Sequence, residues 1–184
     1  YRRDSGLANP TRIIFCLTLR CNIRCAQCAI WRLPKAEELS AAEWMRAIDD
    51  LRDWLGTDAL RYSLARYPAD SPLTLDPDVL TKRTNDNPVF YVQYAHARIC
   101  SILKNAAEKG IDFSNGKVSL LTSEPELILI RHMAKLSEVI EAVATSYEPH
   151  HLPFYAQDLA TVFHSFYKQC RVITDDAVMT GARL

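Results

Sequence analysis

The stretch that most constrains this chain is residues 85–98, Asn-Asp-Asn-Pro-Val-Phe-Tyr-Val-Gln-Tyr-Ala-His-Ala-Arg, a polar turn that runs directly into a helix. Asn and Asp bond to their own backbone, and Pro88 presets φ for a first helical turn. Beyond it Val92, Ala95, Ile99, Ile102, Leu103 and Ala106 recur at helical spacing and form one apolar stripe. Tyr91, Tyr94, His96 and Arg98 are spread around the same helix, more polar chemistry than core filling requires.

Two further stripes follow. Ser123 and Glu126 form a capping box, after which Leu127, Ile130, Met133, Leu136, Ile140 and Val143 trace one helix toward Tyr147. Glu148-Pro149-His150-His151 breaks it. A third helix carries Ala156, Leu159, Ala160, Phe163, Tyr167 and Cys170 on its apolar face. Three stripes joined by loops containing Gly110, Asn115, Gly116 and Pro149 predict a mainly α fold, an antiparallel helical bundle. Pro68, Pro72 and Pro77 mark an irregular connector before it. With 48% hydrophobic and 24% charged residues and only five glycines, the 184-residue chain has the profile of a helix-rich globular protein. Its formal net charge is zero, so no global field draws it to nucleic acid or anionic membrane. No apolar run approaches the roughly 20 residues that span a bilayer, so a cytoplasmic location without membrane partners is expected.

The first part reads differently. Residues 11–19 alternate, with Ile13, Phe15, Leu17 and Leu19 on one face and Ile14 and Cys16 on the other, which predicts a short strand buried on both sides, as in a parallel sheet. Three of the six cysteines then fall within eight positions, Cys21, Cys25 and Cys28. In a reducing compartment such a cluster points to a metal or cofactor site rather than to disulfides. Ser40 and Glu43 form another capping box, and Trp44, Met45, Ile48, Leu51 and Leu55 make a stripe ending at Gly56.

This strand, the CxxxCxxC loop and the helix after it resemble the opening of radical SAM enzymes. The resemblance implies a 4Fe-4S cluster on Cys21, Cys25 and Cys28 with an open iron for S-adenosylmethionine. The alternatives for the same cysteines are a zinc knot with a fourth ligand from elsewhere, or unliganded thiols. Gln27 departs from the family pattern, and no Gly-Gly-Glu-Pro-like segment follows, so a complete radical site is not expected from this chain alone.

From residue 57 another resemblance takes over. Asp58-Ala-Leu-Arg61, the run 85–98, and Phe163-His-Ser-Phe-Tyr-Lys-Gln-Cys-Arg-Val172 are similar to the C-terminal, DALR anticodon-binding part of arginyl-tRNA synthetases. The implied organisation is a segment 1–56 followed by a helical domain 57–184 that stops before the last helices of such a domain. The resemblance implies tRNA, arginine-specific and held at its anticodon loop, as partner. Tyr91 and Tyr94 are the implied base-contacting residues, with Arg98 as a phosphate or structural contact. Splayed bases stack on aromatic faces for about 1 to 3 kcal/mol each. The competing reading makes either tyrosine a core residue with its hydroxyl bonded to a neighbouring helix.

For His96 and His164 packed, hydrogen-bonded imidazoles are expected. Arg61 and Arg171 are expected to pair with acidic residues between helices, and Cys100 and Cys170 to be small buried hydrophobes. Motifs like His-Ile-Gly-His or Lys-Met-Ser-Lys are absent from the sequence, so ATP is not expected to bind these residues and no catalytic residue is assigned. Three functions follow from the sequence: a tRNA-binding module, a radical SAM fragment, or a mosaic without an evolved function of its own. Nothing in the sequence sets the oligomeric state.

Overall fold

The computed structural model describes residues 39–68, 71 and 73–184, together with the backbone of 13–15. It is mainly helical, and its contacts separate it into two compact units, Tyr1–Lys82 and Arg83–Leu184.

In the first unit, strand β1 (Ile13–Phe15) pairs antiparallel with β2 (Leu73–Leu75), Ile14 opposite Thr74. The expected parallel sheet is therefore corrected. A two-stranded antiparallel ladder meets the backbone hydrogen-bonding requirement of so short a strand without crossover helices. The partner strand lies in the segment expected to be an irregular connector, which also holds a short helix, α3 (Pro77–Leu80), capped by Asp76.

Helix α1 (Ala41–Leu55) begins at the expected capping box. The Glu43 carboxylate accepts from the Ser40 N–H at 2.8 Å, and the Glu43 N–H donates to Ser40 Oγ at 3.3 Å. Gly56, at φ 87°, ends it and lets α2 (Thr57–Arg66) start at once. Asp58-Ala59-Leu60-Arg61 thus lies on α2, with Ala59 and Leu60 buried. Of the α1 stripe only Leu51 and Leu55 are buried; Met45 and Ile48 are exposed.

The second unit is built on α4 (Pro88–Glu108) and α7 (His151–Gln169). The helix α4 starts where the turn chemistry predicts, with Pro88 at its first position. Asn87 Oδ1 accepts from the N–H groups of Val89 at 3.1 Å and Phe90 at 3.5 Å. Asn87 is itself buried. Removing a cap of this kind costs about 1 kcal/mol, so Asn87→Ala is expected to lower the urea midpoint without changing the denaturant slope. The buried positions of α4 are Val89, Ala95 and Ala106, with Val92 and Ile102 half-buried beside them. Ile99 and Leu103, placed in the stripe by spacing, are exposed, because the partner covers a narrower arc than the sequence pattern offers.

The stretch 124–146 is two helices, α5 (Glu124–Ala134) and α6 (Leu136–Ser146), not one. The Lys135 N–H bonds to the His132 carbonyl at 3.2 Å, a tightened turn at the junction. Both helices pack on α7, which also carries α4. Ser123 at the start of α5 lies 3.8 Å from Cys170, and Tyr155 Oη donates to the His132 carbonyl near its end at 3.2 Å. The pair is therefore antiparallel. Tyr91 meets His164 and Arg98 meets Tyr167, so α4 and α7 advance in the same sense across their contact.

The core consists of Ala95, Ala160, Phe163, Phe166, Cys170 and Val172, with Val92, Ile102, Leu129 and Leu184 against it. Helix α8 (Ala177–Arg183) packs on the short 3-10 turn Val118–Leu120. Gly116 permits this approach, since a Cβ there would lie 2.1 Å from the Gly181 carbonyl oxygen. Among the described residues no helix is long and apolar enough to cross a membrane.

Candidate nucleic-acid interface

The three residues singled out on α4 fall on one side of it and meet α7. Tyr91 packs edge-on to His164, ring centroids 4.8 Å apart. Tyr94 is tilted against the same imidazole at 5.5 Å and stacks over Phe90 at 6.1 Å, interplanar angle 7°. The Arg98 guanidinium lies 4.6 Å from the Tyr94 ring centre and 4.5 Å from that of Tyr167, held between the two rings. It also donates to the Tyr94 hydroxyl. A planar cation between aromatic faces is favourable by about 0.5 to 1 kcal/mol per face at exposed sites. The guanidinium thus contacts both rings through its face and engages the Tyr94 hydroxyl through one N–H.

His164 supplies no charge to this cluster at neutral pH. Burial pushes its pKa down and the Arg98 charge adds to that, while a hydrogen bond with the Tyr91 backbone works the other way with smaller effect. The neutral ring acts as a spacer that sets the positions of Tyr91 and Tyr94.

Beyond Arg98 a groove of about 700 Å³ opens between the C-terminal halves of α4 and α7. Tyr94, Arg98, Lys109, Tyr167, Lys168 and Arg171 line it, and among the described residues no acidic side chain does. In a chain of zero net charge, four cations without a carboxylate among the lining residues create a local positive field. Its outer wall is braced from below. Arg183 Nε donates to the buried Glu126 carboxylate at 2.7 Å, and Arg183 Nη1 donates to the Arg171 carbonyl at 2.7 Å. Basic side chains interleaved with two tyrosines suit a single-stranded polyanion with exposed bases.

A family model, the DALR anticodon binding domain, matches residues 92–184, just over half of the chain and nearly all of the unit that holds this groove. The chain belongs to the DALR anticodon binding domain family. Arginine–tRNA ligases are its similar relatives. That of Dehalococcoides mccartyi strain CBDB1 is 53% identical over 130 residues, covering 71% of this chain and 23% of the relative. That of Micrococcus luteus is 48% identical over 132 residues, 70% of this chain and 24% of the relative. Among solved structures, a protein named as an arginyl-tRNA synthetase from Campylobacter jejuni superposes with a TM-score of 0.64 at 27% identity. It covers 74% of this chain and 30% of that one. This DALR domain chain therefore spans about a quarter of the length of the curated relatives it matches.

Within the DALR domain, the sequence-based expectations are met unevenly. Tyr91, Tyr94 and Arg98 are brought together, and Tyr94 is 39% exposed at the groove while Tyr91 is half-buried against the core. Tyr167, placed on the apolar face of its helix by spacing, instead stands 38% exposed over Arg98, and Phe166 takes the buried position. Lys109, Lys168 and Tyr167 were not singled out as site residues. The doublet Tyr167-Lys168 with Arg171 one turn later is the sequence signal that marks them.

Arg171 was expected to form an interhelical ion pair; among the described residues neither it nor Arg61 does, and the interhelical ion pair is Glu126–Arg183. His96 is exposed rather than packed, its Nε2 3.7 Å from the Sγ of Cys100, which is exposed too. Cys170 is buried as expected. Cys21, Cys25 and Cys28 lie outside the described residues, and the family and relatives found give no support to a radical SAM segment.

Proposed function

We propose that this DALR domain binds tRNA at the anticodon loop, with arginine-accepting tRNA as its specific partner, through the groove between α4 and α7. The observation that carries the reading is the set Arg98, Lys109, Lys168 and Arg171 beside Tyr94 and Tyr167, free of acidic neighbours in the lining. The relatives' name, arginine–tRNA ligase, supports the choice of tRNA. In this reading Tyr94 and Tyr167 offer stacking surfaces to splayed bases, Arg98 directs its N–H edges to base or phosphate oxygens, and Lys109, Lys168 and Arg171 track the backbone.

The test is a fluorescence titration of labelled tRNA at several salt concentrations. Single-stranded contacts contribute a slope of roughly 0.7 per neutralised phosphate, so four cations give a slope near −3 in log affinity against log salt. The affinity should then fall roughly 50-fold between 50 and 200 mM salt. Arginine tRNA is expected to bind more tightly than a tRNA with an unrelated anticodon. Equal affinity for both would remove the specificity, and salt-independent binding would remove the groove.

A further inference from the structure

The turn between α6 and α7 carries side chains that the groove does not use. Glu148, His150 and His151 each offer one ligand atom, and the three atoms lie within 4.8 Å of one another. The two imidazole centroids are 4.2 Å apart. His151 Nε2 is 3.3 Å from a Glu148 carboxylate oxygen. His150 is buried and set edge-on to Phe154 at 6.0 Å, interplanar angle 88°, so packing fixes its ring. Glu148 and His151 are exposed and free to adjust by side-chain rotation.

The backbone beneath them is constrained on both sides. Tyr147 closes α6 in the left-handed region at φ 60°, its N–H bonding to the Val143 carbonyl at 2.9 Å. Pro149 restricts the next step, and the His151 N–H returns to the Glu148 carbonyl at 3.4 Å. A short link between two packed helices needs turn formers, not two imidazoles and a carboxylate on one side.

Two imidazole nitrogens and one carboxylate oxygen are the donors of a three-ligand zinc centre with a fourth position open to water. Around such an ion, ligand atoms at about 2.0 to 2.2 Å from the metal lie roughly 3.4 Å from one another; His151 and Glu148 already stand at 3.3 Å, and the set as a whole lies within 4.8 Å. The two exposed side chains supply the closure. We propose that Glu148, His150 and His151 bind a divalent transition metal, zinc above all, which clamps the turn joining α6 to α7. Tyr167 lies 16 residues beyond His151 along α7, about 24 Å at 1.5 Å per residue, so the site is separate from the groove and independent of the tRNA reading.

The probe is zinc ion alone, titrated by calorimetry into the full chain with Cys16, Cys21, Cys25 and Cys28 replaced by serine, since those thiols are zinc ligands in their own right. One ion per chain is expected, with affinity at least tenfold lower in His151→Ala and in Glu148→Gln. Both positions are exposed, and circular dichroism checks that both variants stay folded. In the chain with its cysteines intact, His151→Ala is expected to lower the zinc stoichiometry by one. In the serine variant, cobalt in place of zinc should give visible d–d bands without a thiolate charge-transfer band. Absence of zinc binding by the serine variant, affinity unchanged by both substitutions, or a thiolate band would each overturn the proposal.

Discussion

Arg98→Ala is expected to weaken tRNA binding by about 5- to 150-fold, which is the loss of one stacked base at roughly 1 to 3 kcal/mol. Arg98 is one of four groove cations, but its larger effect comes from its position between Tyr94 and Tyr167. Without the guanidinium, neither ring has a fixed partner on that side, and both lose the orientation in which they meet a base. Arg98→Lys keeps the charge and loses the plane, so it should retain the salt slope while recovering only part of the affinity. Lys104→Ala serves as the control. Lys104 lies on the same helix but outside the groove lining, 3.9 Å from Glu108 in an exposed pair, and its removal should change affinity little. Equal losses for Arg98→Ala and Lys104→Ala, measured by the same titration, would show that only net charge matters.

Glu126→Ala is expected to destabilise the helical unit by about 3 to 5 kcal/mol, the usual cost of stranding one member of a buried pair. The Glu126 side chain is 3% exposed and that of Arg183 16%. Burial alone would raise the Glu126 pKa. Hydrogen bonds from Ser123, and then the Arg183 contact and charge, outweigh burial and hold the carboxyl below its ordinary value of 4.5. A carboxyl depressed in the folded state stabilises fully above that ordinary value, and the stabilisation is lost as pH falls through the lower folded one. Chemical denaturation should therefore show stability declining below about pH 4.5 in the parent chain. Glu126→Gln should remove this component of the decline. Because Arg183 also holds the Arg171 carbonyl, loss of Glu126 should loosen the groove wall and weaken tRNA binding at temperatures where the domain remains folded.

Local chemistry was legible wherever one segment decides its own conformation. Asn87 and Pro88 start α4, Ser40 with Glu43 starts α1, Ser123 with Glu126 starts α5, and Gly56 ends α1. Each of these features involves backbone groups within three or four residues, so no distant partner is needed to form it. Apolar periodicity was less decisive, because it shows which faces a helix offers and not which face a neighbour covers. Ile99, Leu103, Met45 and Ile48 have the spacing of core residues and remain exposed. The division of 124–146 into two helices has the same origin, since Lys135 carries no breaker and the junction depends on how both halves reach α7.

The candidate site divides along the same line. Tyr91, Tyr94 and Arg98 could be found in the sequence because one helix presents them within two turns and their pattern matches a known family. Tyr167, Lys168 and Arg171 belong to the groove through the pairing of α4 with α7, which no local rule specifies. The sequence by itself determined a helix-rich chain, the starts of α1, α4 and α5, and its family. Tertiary structure alone decided that Arg98 sits between two tyrosines from different helices, that Arg183 and not Arg171 pairs with Glu126, and that the groove is lined by cations without carboxylates. The physical reason is range: caps and turns are settled by neighbours along the chain, whereas burial, ion pairing and local field depend on side chains brought together from positions tens of residues apart.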